Sequence, residues 1–259
     1  MVFKLPTFQR GQKKKTPQAP RSPTRNKSIT RHYSNGSTIP TNMESFTSSL
    51  LGIELSFETL YTLEKRLRSG SFATVWTGRH ILTGDEFAVK VINRKKLSEK
   101  DDAGVYREVE IMRALCPHDG IINIVEFFVT PTTFHVILEL ARGGDVFDRI
   151  ARIHQYTEKE ARDLTRQLLR SVKYVHGRNV CHRDIKPENL LLVSKDGNAA
   201  LKLADFGFAR QCPNIYDRGC LKTRCGTPAF VAPEVVVGTP YNGKADMWAV
   251  GCTIYFLLG

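Results

Sequence analysis

Residues 182–189 read His182-Arg183-Asp184-Ile185-Lys186-Pro187-Glu188-Asn189, and they set the terms for the rest of the chain. Within the last six of these positions stand a carboxylate, an ammonium and an amide. Pro187 and the absence of apolar periodicity predict a rigid loop rather than a helix. Asp184 is suited to accept a hydrogen bond from a nucleophilic hydroxyl, and Lys186 to screen a phosphoryl oxygen. Asn189 can give its side-chain oxygen to a hard cation. Any one of these residues alone reads as part of a mixed-charge surface turn. The ordered string asks for more: a hydroxyl oriented while a dense negative charge is neutralised.

The pattern H-R-D-x-K-x-x-N resembles the catalytic loop of the protein kinases, and the Lys two places after the Asp is the serine/threonine form. The resemblance implies an α+β, two-lobed fold. A small β-rich lobe with one helix, residues 57–140, would precede a larger, mainly helical lobe, residues 141–259. It also implies ATP and Mg²⁺ as cofactors and a protein bearing Ser or Thr as substrate.

The 259 residues suffice for one large domain or two small ones. No apolar run reaches the length of a membrane span and no signal-peptide core stands near the start. The six cysteines lack paired C-x-x-C spacing and suitably placed His partners. They read as reduced thiols of a cytoplasmic or nuclear protein. The net charge of +12 is uneven: residues 1–43 hold nine Lys or Arg and no acid, while the remainder holds 29 basic against 26 acidic residues. Basicity is therefore a property of a leader, residues 1–56, whose Lys, Arg, Ser, Thr and Pro content predicts disorder. Lys13-Lys14-Lys15 offers a contact for nucleic acid or an anionic membrane. Thr16, Ser22 and Ser28 sit in short contexts that other kinases modify.

Tyr61 to Val75 alternates and turns like two strands around a tight loop. Against the kinase phosphate loop G-x-G-x-x-G-x-V, only Gly70 and Val75 stand; Arg68 and Ala73 replace the outer glycines. Phe87 to Ile92 reads as a strand that carries Lys90 on the same face as Ala88. The following helix, Asp101 to Leu115, sets Val105, Glu108, Met112 and Leu115 on one stripe. A lysine in an apolar strand and a glutamate in an apolar stripe each need a counter-charge, and a Lys90–Glu108 pair answers both. The resemblance makes that pair the one that aligns Lys90 on the ATP phosphates. It also places Leu67, Gly70, Val75, Ala88 and Leu191 around the nucleotide and makes Leu138 the gatekeeper. Backbone groups of Glu139 and Ala141 would bond adenine, and Asp145 would lie near the ribose or a substrate arginine.

Thr157-Glu158-Lys159-Glu160 is a capping box opening a long helix with Leu164, Leu168, Val172 and Val175 inward and Gly177 as its cap. Short strands at 190–193 and 201–203 flank the turn Asp196-Gly197-Asn198. The second strand leads into Asp205-Phe206-Gly207. By resemblance Asp205 and Asn189 chelate Mg²⁺, and Phe206 packs beneath Met112. Cys225-Gly226-Thr227-Pro228 to Glu234 resembles the G-T-P-x-x-x-A-P-E close of the kinase activation segment. Thr227 would bond Asp184 and Lys186. Thr223 stands where an upstream activating kinase would add a phosphate, with Arg183 as its partner. Asp246 would anchor the catalytic-loop backbone at the start of a central helix.

The Gly-Gly-Asp-Val-Phe-Asp run (143–148), the capping region and the Cys-Gly-Thr-Pro motif resemble the calcium/calmodulin-dependent kinase group. That family's domain continues for further helices, so the reading expects a C-terminally truncated domain. It leaves Glu234 without its usual Arg and the run Ile254 to Leu258 short of covering. The rival readings are an inactive module that binds nucleotide or a partner, and a binder driven by the basic leader.

Overall fold

In the computed structural model the chain falls into two units, Met1–Glu54 and Leu55–Gly259. The structure describes residues 56–70, 72–153, 155–196 and 199–259. The expectations for the leader, for Ser71 and for the Gly197-Asn198 turn lie outside the described residues.

A one-turn helix, α1 (Phe57–Leu60), leads into β1 (Tyr61–Ser69), β2 (Ala73–His80) and β3 (Glu86–Asn93). Helix α2 (Glu99–Leu115), β4 (Ile124–Val129) and β5 (Thr133–Glu139) complete the small lobe. The five strands form one antiparallel sheet in the order β1-β2-β3-β5-β4. Central strands β3 and β5 bury Val89, Ile92, Phe134, Val136 and Ile137, as β-branched and aromatic residues on a pleated surface should. Strand β1 departs from the expected alternation: only Tyr61 is buried. It is an edge strand with two register shifts; Tyr61 packs with Phe57, Val89 and Ile137, and past it the side chains lie exposed. Helix α2 starts two residues earlier than the periodicity suggested. Ser98 caps it by accepting from the Asp101 N–H, and acidic Glu99, Asp101 and Asp102 suit its positive end. Its predicted stripe holds: Val105, Glu108, Met112 and Leu115 are all buried.

The larger lobe begins with β6 (Gly144–Asp145) and α3 (Val146–Ile153), followed by α4 (Glu158–His176). The Thr157 hydroxyl accepts from the Glu160 N–H while the Glu160 carboxylate accepts from the Thr157 N–H, closing the expected capping box. Leu164, Leu168, Val172 and Val175 are buried. Gly177 does cap α4, yet with right-handed dihedrals; the left-handed residue is Asn179, at φ 58°. Next come β7 (Val180–Cys181), β8 (Leu190–Leu192), β9 (Leu201–Leu203) and β10 (Arg210–Gln211). Strands β6, β8 and β9 form one small sheet, and β7 pairs with β10 in another. Short helix α5 (Pro233–Val237) and α6 (Lys244–Leu258) end the described chain.

One core cluster runs through both lobes. Met112, Leu115 and Ile121 from the first pack with Leu168, Val172, Ile185, Leu203 and Phe206 from the second. Its backbone seam is β9, where Leu203 accepts from the Ile122 N–H and donates to Gly120. Lys90 of β3 reaches Asp205, and Arg68 of β1 reaches Asp145 and the Glu188 carbonyl, so the sheet roofs a cleft with residues 182–189 on its floor. The terminal apolar run is divided in the structure: Tyr255 is 78% exposed while Leu257 is 2% exposed.

Candidate active site

The loop from His182 to Asn189 is held from beneath by α6. Asp246 Oδ2 accepts from the His182 N–H at 2.9 Å and Oδ1 from the Arg183 N–H at 2.8 Å. His176, at the end of α4, places Nε2 2.8 Å from the same Oδ2. Burial would push the Asp246 carboxyl upward, but the His176 contact and the backbone N–H groups win, and it sits below the usual carboxylate range. With its carboxylate so clamped, the chain tolerates a left-handed Arg183 at φ 70°, a rare state for a long side chain.

Asp184 then projects into a closed set of donors. Its Oδ1 accepts from the Thr227 hydroxyl at 2.7 Å. Its Oδ2 accepts from Asn189 Nδ2 at 3.0 Å and lies 2.9 Å from Lys186 Nζ. Lys186 also donates to Thr227 Oγ1 at 2.7 Å, closing a triangle of acid, amine and hydroxyl. Asn189 Nδ2 donates a second bond to the Asp184 carbonyl at 2.7 Å. Both amide hydrogens are thereby used, and the amide oxygen is what remains for an outside ligand. Gly226 lets Thr227 come this close. Its φ is +109°, and a Cβ there would stand 2.8 Å from the Arg183 carbonyl.

The roof supplies a second constellation. Lys90, on β3, lies opposite Val75 on β2 and Val136 on β5. Its Nζ donates to Glu108 Oε1 at 2.6 Å and reaches Asp205 Oδ1 at 3.3 Å. Burial alone would lower the Lys90 pKa; the carboxylates of Asp205 and Glu108 outweigh it and drive it far up, so the ammonium stays charged. Reciprocally, the Lys90 charge holds the Asp205 carboxyl below its usual range. Asp205 adopts a positive φ of 62° at the end of β9. Phe206 behind it is fully buried, in the same cluster as Met112.

Around the cleft, Val75 and Ala88 are half-buried, Leu67 is exposed, and Leu138, Ala141 and Leu191 pack half-buried on the core. The Glu139 N–H is already spent on the Asn123 carbonyl, so that position can offer a ligand its own carbonyl oxygen. The Glu139 side chain is tied down by Lys202 at 2.5 Å and by Asn123 Nδ2 at 2.6 Å, which steadies the link between the lobes. Among the described residues a Cβ at Gly70 would meet the Ala73 carbonyl at 3.5 Å, an ordinary contact, so space does not demand glycine there.

The sequence profile of the protein kinase domain matches residues 61–259. The chain belongs to the protein kinase family. Its curated relatives are serine/threonine kinases of the calcium/calmodulin-dependent group. It is 41% identical over 203 residues to a probable myosin light chain kinase of Dictyostelium discoideum, covering 78% of this chain and 50% of that protein. It is similar at 38% identity over 201 residues to myosin light chain kinase A of the same organism, covering 78% of this chain and 67% of that one. With calcium/calmodulin-dependent protein kinase type I of Schizosaccharomyces pombe it shares 41% over 202 residues, 76% of this chain and 59% of that one. The chain thus spans about half to two thirds of the length of these relatives.

In this protein kinase the structure forms two clusters, Lys90–Glu108–Asp205 and Asp184–Lys186–Asn189–Thr227, tied where the Ala204 N–H donates to the Asn189 carbonyl at 2.9 Å. Thr223 is exposed and lies outside both. It connects to Arg183 through one hydroxyl: Tyr241 Oη donates to the Thr223 carbonyl at 2.7 Å and accepts from Arg183 Nη1 at 3.1 Å. Arg183 Nε donates to the Phe208 carbonyl at 2.7 Å. Sequence reasoning missed His176 and the role of Arg68. His176 is a lone histidine on an otherwise ordinary helix end, without a pattern to mark it. Arg68 was marked as a departure from the glycine pattern, but its partner is 77 positions away: Nη2 pairs with Asp145 Oδ2 at 2.5 Å.

Proposed function

We propose that this chain transfers the terminal phosphoryl group of Mg·ATP to Ser or Thr hydroxyls of protein substrates. The observation that carries this reading is the Asp184 carboxylate, held by Thr227, Lys186 and Asn189 opposite a Lys90 that two carboxylates keep charged.

A carboxylate has room for a further donor beside those it already holds. An incoming hydroxyl would take that place, with Asp184 fixing its direction and accepting its proton as transfer proceeds. Lys186 neutralises charge that builds on the group in transit. Thr227 holds acid and ammonium at a fixed separation and favours an aliphatic hydroxyl as acceptor. Lys90, locked by Glu108, draws the phosphates to one position. Leu67, Gly70, Val75, Ala88 and Leu191 enclose the nucleotide, with backbone groups of Glu139 and Ala141 at the adenine edge.

The donor set suits Mg²⁺. Among the described residues no three His, Cys, Asp or Glu side chains gather as a metal site. Asp205 and the free oxygen of Asn189 would supply two oxygen ligands, and phosphate oxygens and waters the others, the usual arrangement for this ion. When bound, the ion neutralises the charge that separates nucleotide from acceptor.

Asp145 and Glu188 make the mouth of the cleft acidic, which favours substrates with basic residues before the target hydroxyl. Phosphate on Thr223, added by an upstream kinase, would find Arg183 one hydroxyl away and order the activation segment.

Labelled-ATP transfer to a mixed Ser/Thr peptide library tests the reading. Transfer that appears with Mg²⁺, and is lost in Asp184→Asn with nucleotide binding retained, is the expected result. Equal transfer by wild type and Asp184→Asn would sink it.

A further inference from the structure

The roof and floor of the cleft are joined at its mouth by a contact that the glycine pattern would not allow. Arg68 sits on β1, where the family pattern has its first glycine. Its side chain is 52% exposed, but its Nη2 pairs with Asp145 Oδ2, and the Asp145 side chain is 6% exposed. Nη1 reaches toward the Glu188 carbonyl at 3.5 Å. The other Asp145 oxygen, Oδ1, accepts from the Asp148 N–H at 2.7 Å as α3 begins.

Two further acids, the exposed Asp148 and the half-buried Glu188, are near enough for their charges to act on Asp145. Glu188 Oε2 is buried and has no hydrogen-bond partner among the described residues. A buried carboxylate oxygen without a donor is costly, so the recess asks for more positive charge than Arg68 delivers. Burial, with Asp148 and Glu188 nearby, keeps the Asp145 carboxyl above its usual range even with Arg68 in place. A cation with several N–H groups suits such a place better than a neutral hydroxyl, since it can serve the Asp145 carboxylate and the unpartnered Glu188 Oε2 with charge-assisted bonds.

We propose that Arg68 is an internal occupant of this acidic recess and competes with the arginine of a basic substrate for the Asp145 carboxylate. Arg68 is then a specificity-determining residue. It weakens the advantage that an arginine before the target hydroxyl would otherwise confer. The inference rests on the proposed preference for basic substrates, but it is testable without any phosphoryl transfer.

The experiment is calorimetric titration of wild type and Arg68→Ala, without nucleotide. The probes are serine peptides in which a single arginine is walked through the five residues before the serine, with an all-alanine peptide beside them. Removal of a partly exposed competitor should tighten the best arginine peptide about fivefold and leave the alanine peptide unchanged. Asp145→Asn added to Arg68→Ala should erase that gain. An equal change in both kinds of peptide, no change in either, or no binding by any arginine peptide overturns the proposal. Arg68 is about half exposed, so its loss should lower the melting temperature by taking a partner from Asp145 while leaving a cooperative fold, which a melting curve checks. A protein that shows the peptide effect and transfers no phosphate would keep this inference and lose the proposed reaction. Transfer without the peptide effect would do the reverse.

Discussion

At the scale of single residues, the proposed reaction gives Asp184 and Lys90 different work, and substitution should separate them. Asp184→Asn keeps the shape and the hydrogen bond to Thr227 but removes the acceptor for the hydroxyl proton. The turnover number should fall about a thousandfold, within the range for a lost general base, while ATP affinity stays near wild type. Steady-state kinetics beside a nucleotide titration checks it; a parallel loss of affinity would mean that Asp184 shapes the site rather than serving the hydroxyl. Much of this was legible in the sequence because the residues are local. Asp184, Lys186 and Asn189 lie within six positions, so their meeting needs only a loop. The Lys90–Glu108 contact was legible for another reason: each residue was an anomaly in an apolar pattern, and two opposite anomalies suggest a pair. Arg68 with Asp145 was not legible. Both are polar residues in exposed-looking stretches, and nothing local says that the roof closes on the floor there.

At the scale of elements, α4 and α6 act on the catalytic loop through one carboxylate. Asp246 takes hydrogen bonds from His182 and Arg183 and meets His176, with 1% of the residue exposed. Asp246→Asn sets an amide against N–H groups that want an acceptor. Stability should drop by about 3 kcal/mol, the scale for breaking a buried charged network, and transfer should fall further than the folded fraction does. Denaturant unfolding and activity, measured on one preparation, compare the two losses. The same carboxyl sets an acid limit. Its folded pKa lies below its ordinary 3.8, so the stability it lends is complete above that value and is lost as pH falls through the lower folded value. Acid unfolding of Asp246→Asn should therefore lack that part of the pH dependence; an unchanged profile below pH 3.8 would reject the assignment. The α4 cap is a milder case: Thr157→Ala should cost about 1 kcal/mol and leave kinetics alone, because the cap is at the end of α4 opposite His176, the end that meets Asp246. Helices with a strong stripe and a capping box were readable to within a residue or two. Strand β1 was not, since its burial depends on having no neighbour outside it.

At the scale of the whole molecule, the two lobes communicate through a shared core and a few polar ties, and nucleotide should strengthen that junction. Met112, Phe206 and Leu203 belong to one cluster, while Lys90 joins β3 to α2 and to Asp205 at the end of β9. A ligand that binds Lys90 and Asp205 together has contacts on both sides, and it stabilises only the folded state. Mg·ATP at about 100 times its dissociation constant should add roughly 2.7 kcal/mol to unfolding. The shift should vanish in Lys90→Met, measured against that variant's own ligand-free melting. Loss of the ammonium also strands the Glu108 carboxylate, which is 9% exposed in its side chain, so the variant should melt lower even without ligand. The two effects are separable, since the first depends on nucleotide concentration and the second does not. A shift that survives in Lys90→Met would place the phosphates elsewhere, and the rigid pairing of β3 with α2 would then serve the fold rather than the nucleotide.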